Sequence, residues 1–373
     1  MLADHRYRWD ARTSESSGVS TPAAPPTSLN WDDPLGVETR IHEEELQQEA
    51  ALSGEKRLYG GTSDQNHLAP FAYPWAFEMY KKARANLWNP TEISMGKDNE
   101  QYWRKLTDAE RHMFHTTFSY LSTSDIMVLR NTALCVMSHI TAPEVNIFLA
   151  EQTGQEAMHM WAYQTCVDVL GLDPNEVYTL YKRIPQISQK IELAKVYGEK
   201  IENAKDVNDF LKGLIFYYCG YEGGFFYTNF NPIFSLRRRA LVPGSSEQLM
   251  YIQRDEHMHV AFGVKLITAI MAENDHNVTE HTVIDIFNKV VESEEIFAEY
   301  AIPNEILGYR RDDHVQHLKH LLDRRLKQLG FAAHYNVPDP FPWLAEVAHI
   351  RKETNFFEGK VTEYQKGGLS WEN

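Results

Sequence analysis

Four stretches of this chain set an acid, alone or with an imidazole, into an apolar stripe of helical spacing. In the first, Phe114, Phe118, Leu121, Val128 and Thr132 share a helix face with Asp125. In the second, Val145 and Leu149 lead to Glu156, His159 and Tyr163, with Val167 and Leu170 beyond. In the third, Leu211, Ile215 and Tyr218 run on to Glu222, then Phe226 and Phe230. In the fourth, Leu249 and Ile252 precede Glu256 and His259, with Phe262 and Leu266 after them. Four carboxylates in one core carry a charge of −4, a prohibitive burial without compensation. Two divalent cations bring that sum to zero while both imidazoles remain neutral ligands. Mixed carboxylate and imidazole ligation suits iron or manganese better than zinc. The pattern therefore predicts an all-α fold in which four helices converge on a carboxylate-bridged dimetal site. That is the arrangement of the ferritin-like helical bundle.

Two other Glu-x-x-His matches act as controls. Glu273 and His276 lie in a polar, turn-like stretch, and Glu346 and His349 sit near the end of the chain without a partner helix. Both are read as chance. The net charge of −15 argues against a nucleic-acid or anionic-membrane partner, because phosphate binding needs clustered Lys and Arg. The one dense basic run, Arg237-Arg238-Arg239, is expected to be a solvated helix cap. Cys135, Cys166 and Cys219 lie far apart in apolar patterns and read as small core residues of a reducing compartment. No run of about 18 apolar residues predicts a membrane span, and no secretory signal is evident at the start. A cytoplasmic protein is expected.

Residues 1–60 are polar, with Ser-Thr-Pro clusters, and are expected to be a largely disordered extension carrying a short acidic helix at about 42–52. A helical domain is expected over 61–352 with no internal boundary, followed by a flexible tail over 353–373. Within the domain a helix stops at Pro90, and Thr107 to Glu110 forms a capping box. Thr141 to Glu144 reads as a second capping box. Further helices are expected over about 174–204, 206–231, from Pro243 onward, and over about 279–300, 303–329 and 340–352.

Several quoted segments resemble the small (beta, radical-generating) subunit of class I ribonucleotide reductase. Trp88-Asn89-Pro90-Thr91-Glu92 resembles that family's Trp-x-Pro-x-Glu segment, and Arg254-Asp255-Glu256-His257-Met258-His259 its Arg-Asp-Glu-x-x-His. Asp125 precedes Glu156 by 31 residues and Glu222 precedes Glu256 by 34, as in the family pattern. Asn355-Phe356-Phe357-Glu358 and Glu363-Tyr364-Gln365 resemble its partner-docking tail.

The resemblance implies that Asp125, Glu156, His159, Glu222, Glu256 and His259 hold two metal ions, Fe/Fe first, with Mn/Mn or Mn/Fe as alternatives. It implies a stable radical on Tyr163 in a pocket formed with Phe226, Phe230 and Ile252. It implies a transfer route through His159, Asp255 and Trp88 to the surface, continued by Tyr364. A large (alpha, catalytic) subunit would receive the oxidising equivalent to reduce ribonucleotides, and the small subunit would form a homodimer. The rival readings are a di-iron oxygenase or oxidase and a ferritin-like metal-storage protein. Asp rather than Glu at position 125, together with Tyr163 and the tail, weighs against the first, and chain length against the second.

Overall fold

The protein is described by a computed structural model covering residues 54, 56–60, 66–304 and 306–344. Among these every regular element is helical. In chain order they are α1 (Pro74–Ala85), α2 (Asp98–Arg104), α3 (Asp108–Arg130), α4 (Pro143–Leu170), α5 (Pro174–Thr179) and α6 (Pro185–Glu202). Then come α7 (Val207–Leu214), α8 (Tyr227–Arg237), α9 (Pro243–Glu273), α10 (Glu280–Ala301) and α11 (Arg311–Gln328). Two wide-turn π segments interrupt the series, at Asn131–Val136 after α3 and at Ile215–Phe226 between α7 and α8. The expected 1–60 extension, the 42–52 helix, the Glu346 and His349 pair and the 353–373 tail lie outside the described residues, apart from a few positions of the extension.

The four stripe-bearing helices are the long inner ones. α3 packs on α4, and the Ile215–Phe226 segment packs on α9. At Gly263 a Cβ would fall 2.0 Å from the Tyr218 ring, so only glycine lets α9 approach that segment so closely. The capping box at α3 forms as expected: Thr107 Oγ1 accepts from Glu110 N, and Glu110 accepts from Thr107 N. α4 ends at Gly171, whose φ of 66° is the left-handed conformation of a helix C-terminal glycine.

Other local expectations are corrected. Thr141 and Glu144 form no capping box, because the N-cap of α4 is Ala142. Glu144 is buried instead, accepting from Ala72 N and Tyr73 N and pairing with the buried Lys56 at 3.1 Å. The expected 174–204 helix is broken at Pro185, and the 303–329 helix begins only at Arg311. The start of α9 is capped from a distance: the buried Asp98 accepts from Gly244 N at 3.1 Å and Ser245 N at 2.6 Å. Arg237, Arg238 and Arg239 are not simply solvated. Arg239 pairs with Glu110, Arg237 donates to Pro243 O, and Arg238 lies 4.8 Å from the Trp343 ring centre. Cys166 and Cys219 are core residues as expected, whereas Cys135 is half-buried within the first π segment.

Candidate metal centre

Asp125 from α3, Glu156 and His159 from α4, Glu222 from the second π segment, and Glu256 and His259 from α9 converge in the interior. All six are buried. They form two overlapping groups, Asp125–Glu156–His159–Glu256 and Glu156–Glu222–Glu256–His259, whose donor atoms lie within 4.8 Å of one another. Among the described residues no other such group of four exists, and neither Glu273 nor His276 belongs to one. Glu273 instead accepts from the Tyr73 hydroxyl at 3.0 Å.

The orientation of the side chains separates residues shared by both groups from residues that belong to one. His159 Nδ1 faces Asp125 Oδ2 at 3.5 Å, Glu156 Oε2 at 3.4 Å and Glu256 Oε1 at 3.4 Å. His259 Nδ1 faces Glu156 Oε1 at 3.2 Å and Glu256 Oε2 at 3.3 Å. Glu156 and Glu256 thus offer one oxygen to each group, while Asp125 and Glu222 each serve one. Neighbouring donors around an ion bound at about 2.1 Å are separated by about 3 Å, so these spacings suit ligands better than hydrogen-bond partners.

Hydrogen bonding tests the fit independently. Both oxygens of Asp125 and of Glu156, Glu222 Oε2, Glu256 Oε1 and His159 Nδ1 are buried without a hydrogen-bond partner. Orphans of this kind are rare in folded proteins, and two cations would satisfy the whole set. Burial, with the neighbouring carboxylates, pushes the Asp125 and Glu222 carboxyls well above their usual range. Burial acts to lower both imidazoles, yet the surrounding carboxylates outweigh it and hold His159 and His259 well above the ordinary value. The cluster holds more anionic character than its own protons can comfortably balance. The residues fit a pair of divalent metals.

The far side of each imidazole is anchored differently. His159 Nε2 faces Asp255 Oδ2 at 3.4 Å, the oxygen that also accepts from Trp88 Nε1 at 2.7 Å. Burial works to raise the Asp255 carboxyl, but His159, Arg254 and the Trp88 indole together hold it below its usual value. His259 Nε2 donates to the neutral Gln155 Oε1 at 2.8 Å. Gln152 Nε2 donates to Glu222 Oε1 at 2.9 Å and its Oε1 accepts from Tyr218 at 3.1 Å. Sequence reasoning missed Gln152 and Gln155. Gln152 lies one turn before Glu156, a polar residue on the metal-facing side that could have drawn attention.

Tyr163 is fully buried, and its hydroxyl has no hydrogen-bond partner. Burial, then Asp125, Glu256 and Glu156, push the phenol well above its usual pKa. The ring that meets it edge-on is Phe118, with centroids 5.3 Å apart, a contact that helical periodicity alone does not assign. Phe226, Phe230 and Ile252 are fully buried, and the two phenylalanine rings lie 6.4 Å apart along their helix.

Residues 65–342 match the family model described as ribonucleotide reductase, small chain. The chain belongs to that family. It is similar to the ribonucleoside-diphosphate reductase subunit beta of Chlamydia pneumoniae, 36% identical over 321 residues that span 83% of this chain and 92% of that one. The ribonucleoside-diphosphate reductase small chain of Trypanosoma brucei brucei is 31% identical over 84% of this chain and 91% of its own length. Among solved structures, the ribonucleotide reductase R2 subunit from Clostridium botulinum superposes with a TM-score of 0.72 at 27% identity, covering 78% of this chain and 94% of that one. This ribonucleotide reductase small subunit is the radical-generating partner of an oxidoreductase, and the oxygenase and metal-storage readings are set aside. None of its described helices is long and apolar enough to cross a membrane.

Proposed function

We propose that this small subunit holds two metal ions on Asp125, Glu156, His159, Glu222, Glu256 and His259, and stores an oxidising equivalent on Tyr163. When bound, an iron or manganese pair would supply, from oxygen, the oxidising power needed to remove an electron from a phenol. Tyr163 would give up one electron to that oxidant and its phenolic proton to the neighbouring carboxylate cluster, Asp125 foremost, and become a neutral phenoxyl. Full burial and the Phe118 edge keep water and reductants from it. Phe226, Phe230 and Ile252 belong to the same dry interior.

Export of the equivalent uses His159, Asp255 and Trp88. Asp255 holds the His159 ring and the Trp88 indole through one shared oxygen, so a single side chain links the metal cluster to an aromatic that is 8% exposed. Tyr364, in the tail outside the described residues, passes the equivalent to a large catalytic subunit. Residues 353–373 dock that partner. The partner's substrates are ribonucleoside diphosphates, the class named in the relatives. Iron in both positions is the first assignment, with Mn/Mn or Mn/Fe as alternatives, since carboxylate and imidazole donors serve either metal. A cytoplasmic homodimer completes the proposal.

The observation that carries it is the unpartnered, fully buried Tyr163 hydroxyl within electrostatic reach of Asp125, Glu256 and Glu156. The deciding experiment loads the protein with Fe(II), admits air, and records absorption and spin resonance. A sharp band near the visible edge and an organic radical signal are expected, and both should vanish in Tyr163→Phe. A signal that persists unchanged in that variant removes the assignment.

A further inference from the structure

Glu222 is the only one of the six ligands carried by a wide-turn segment, Ile215–Phe226. Backbone hydrogen bonds in such a segment run to the fifth residue, and the return to the ordinary pattern disturbs the carbonyls at its exit. Two exit carbonyls accept from side chains. Phe225 O accepts from Asn229 Nδ2 at 2.9 Å, and Gly223 O, next to Glu222, accepts from Arg325 Nε at 3.2 Å.

Arg325 is an unusual donor for this duty. It is 2% exposed, and among the described residues its charged and polar neighbours are Tyr227, Cys219 and Arg324, with no carboxylate in an ion pair with it. Its other contacts are Gln328 Oε1 at 2.9 Å and the Tyr227 ring, 5.3 Å from the guanidinium. Burying a guanidinium without a counter-ion is costly, so the bond to Gly223 O is a substantial part of what holds it there. Gly223 is shaped for this approach, because a Cβ would stand 2.6 Å from Arg325 Nε and 2.7 Å from Tyr218 O. The same helix, α11, reaches the Phe225 carbonyl indirectly: His314 Nε2 contacts Glu294 Oε1 at 2.7 Å, which also accepts from Asn229 Nδ2 at 3.1 Å.

We propose that Arg325 is a positioning residue for Glu222, fixing the wide-turn backbone through the Gly223 carbonyl so that Glu222 presents its unpartnered Oε2 to Glu156, Glu256 and His259. Gln152 holds the other oxygen, Oε1. The inference rests on the dimetal reading and adds a residue 102 positions from Gly223 in sequence to the set that governs it.

Co(II), titrated without air, is the probe, since its visible spectrum reports the ligand field. The wild type is expected to take two equivalents. In Arg325→Met the equivalent that depends on Glu222 and His259 should bind about 10- to 100-fold more weakly with an altered spectrum, while the other equivalent is unchanged. Arg325→Lys, which keeps the charge and a donor, should recover part of the loss. A folded Arg325→Met with wild-type affinity and spectrum for both equivalents overturns the proposal, as does equal weakening of both, which marks general destabilisation. Circular dichroism and melting of the metal-free proteins report folding. If Arg325→Met does not fold, Gly223→Ala displaces the guanidinium from the other side, and an unchanged Glu222-dependent equivalent there overturns the proposal too. A wild type that takes up no Co(II) overturns the dimetal reading and this inference with it.

Discussion

Glu156 and Glu256 stand as counterparts on α4 and α9, each turning one oxygen toward His159 Nδ1, at 3.4 Å in both cases, and the other toward His259 Nδ1, at 3.2 and 3.3 Å. A side chain shared by both groups should matter more for metal content than one that serves a single group. Glu156→Ala or Glu256→Ala is therefore expected to strip the protein of both metals. Glu222→Ala or His259→Ala should lower the content from two per chain toward one. Elemental analysis after loading and desalting checks this, and two metals per chain in the Glu222 or His259 variant would remove those residues from the ligand set.

Trp88 and Asp255 give a second test, aimed at transfer rather than binding. The indole donates to Asp255 Oδ2 at 2.7 Å and lies outside the ligand groups. Trp88→Phe keeps an aromatic ring but loses the donor. Metal content and the Tyr163 radical should form normally in this variant, while deoxyribonucleotide production with the large subunit falls by at least about 100-fold, the scale on which misplacing one group in a relay acts. Wild-type turnover in Trp88→Phe would take the indole out of the route.

The buried cluster of acids and imidazoles was legible in the sequence because burying charge is expensive. An acid at Asp125 or Glu222 inside an apolar stripe needs an explanation, and helical periodicity supplies the stripe. What periodicity could not supply was the local winding around Glu222. Ile215 to Phe226 is apolar nearly all round, so wide and ordinary turns leave the same pattern in sequence. Long-range partners were equally hidden. Glu144 looks like an N-cap acid next to Thr141, yet it is drawn instead to Lys56 and to the amides of Ala72 and Tyr73. Asp98 caps a helix whose first amides lie 146 and 147 residues later, a contact no local rule anticipates.

The Lys190–Glu294 pair predicts a pH dependence. Both are fully buried and 2.6 Å apart, with Lys190 Nζ 3.7 Å from the Tyr120 ring centre. Burial acts to raise the Glu294 carboxyl, but Lys190 and His314 outweigh it and bring its pKa down to about 2 from 4.5. A carboxyl depressed on folding contributes stability that is present above about pH 4.5 and lost as pH falls toward 2. Glu294→Gln should flatten that acid limb and destabilise the fold near neutrality, by at most about 3–5 kcal/mol, because burial already lowers the Lys190 pKa to about 8 and the unpaired amine can shed its proton. Denaturant midpoints from pH 7 down to 2 test both points. A variant whose curve parallels the wild type throughout would show that the pair does not set the acid limb.

Removal of residues 354–373 separates folding from partner binding. The described chain is secured well before that point. Asp323 accepts from the amides of His334, Tyr335 and Asn336, and His317 contacts Asp339 at 3.0 Å. Phe341 lies against Tyr309 with ring centres 5.1 Å apart, and Arg238 covers Trp343 at 4.8 Å. None of these anchors is touched by the deletion, so the shortened protein should melt within about 2 °C of the wild type and form the Tyr163 radical in full, the outcome expected when the anchors of the described residues are all kept. Deoxyribonucleotide formation with the large subunit should nevertheless disappear, and a peptide covering 354–373 should inhibit the intact pair by competition. If the shortened subunit keeps its activity, docking and transfer run through another surface, and the roles assigned to Tyr364 and the tail fall together.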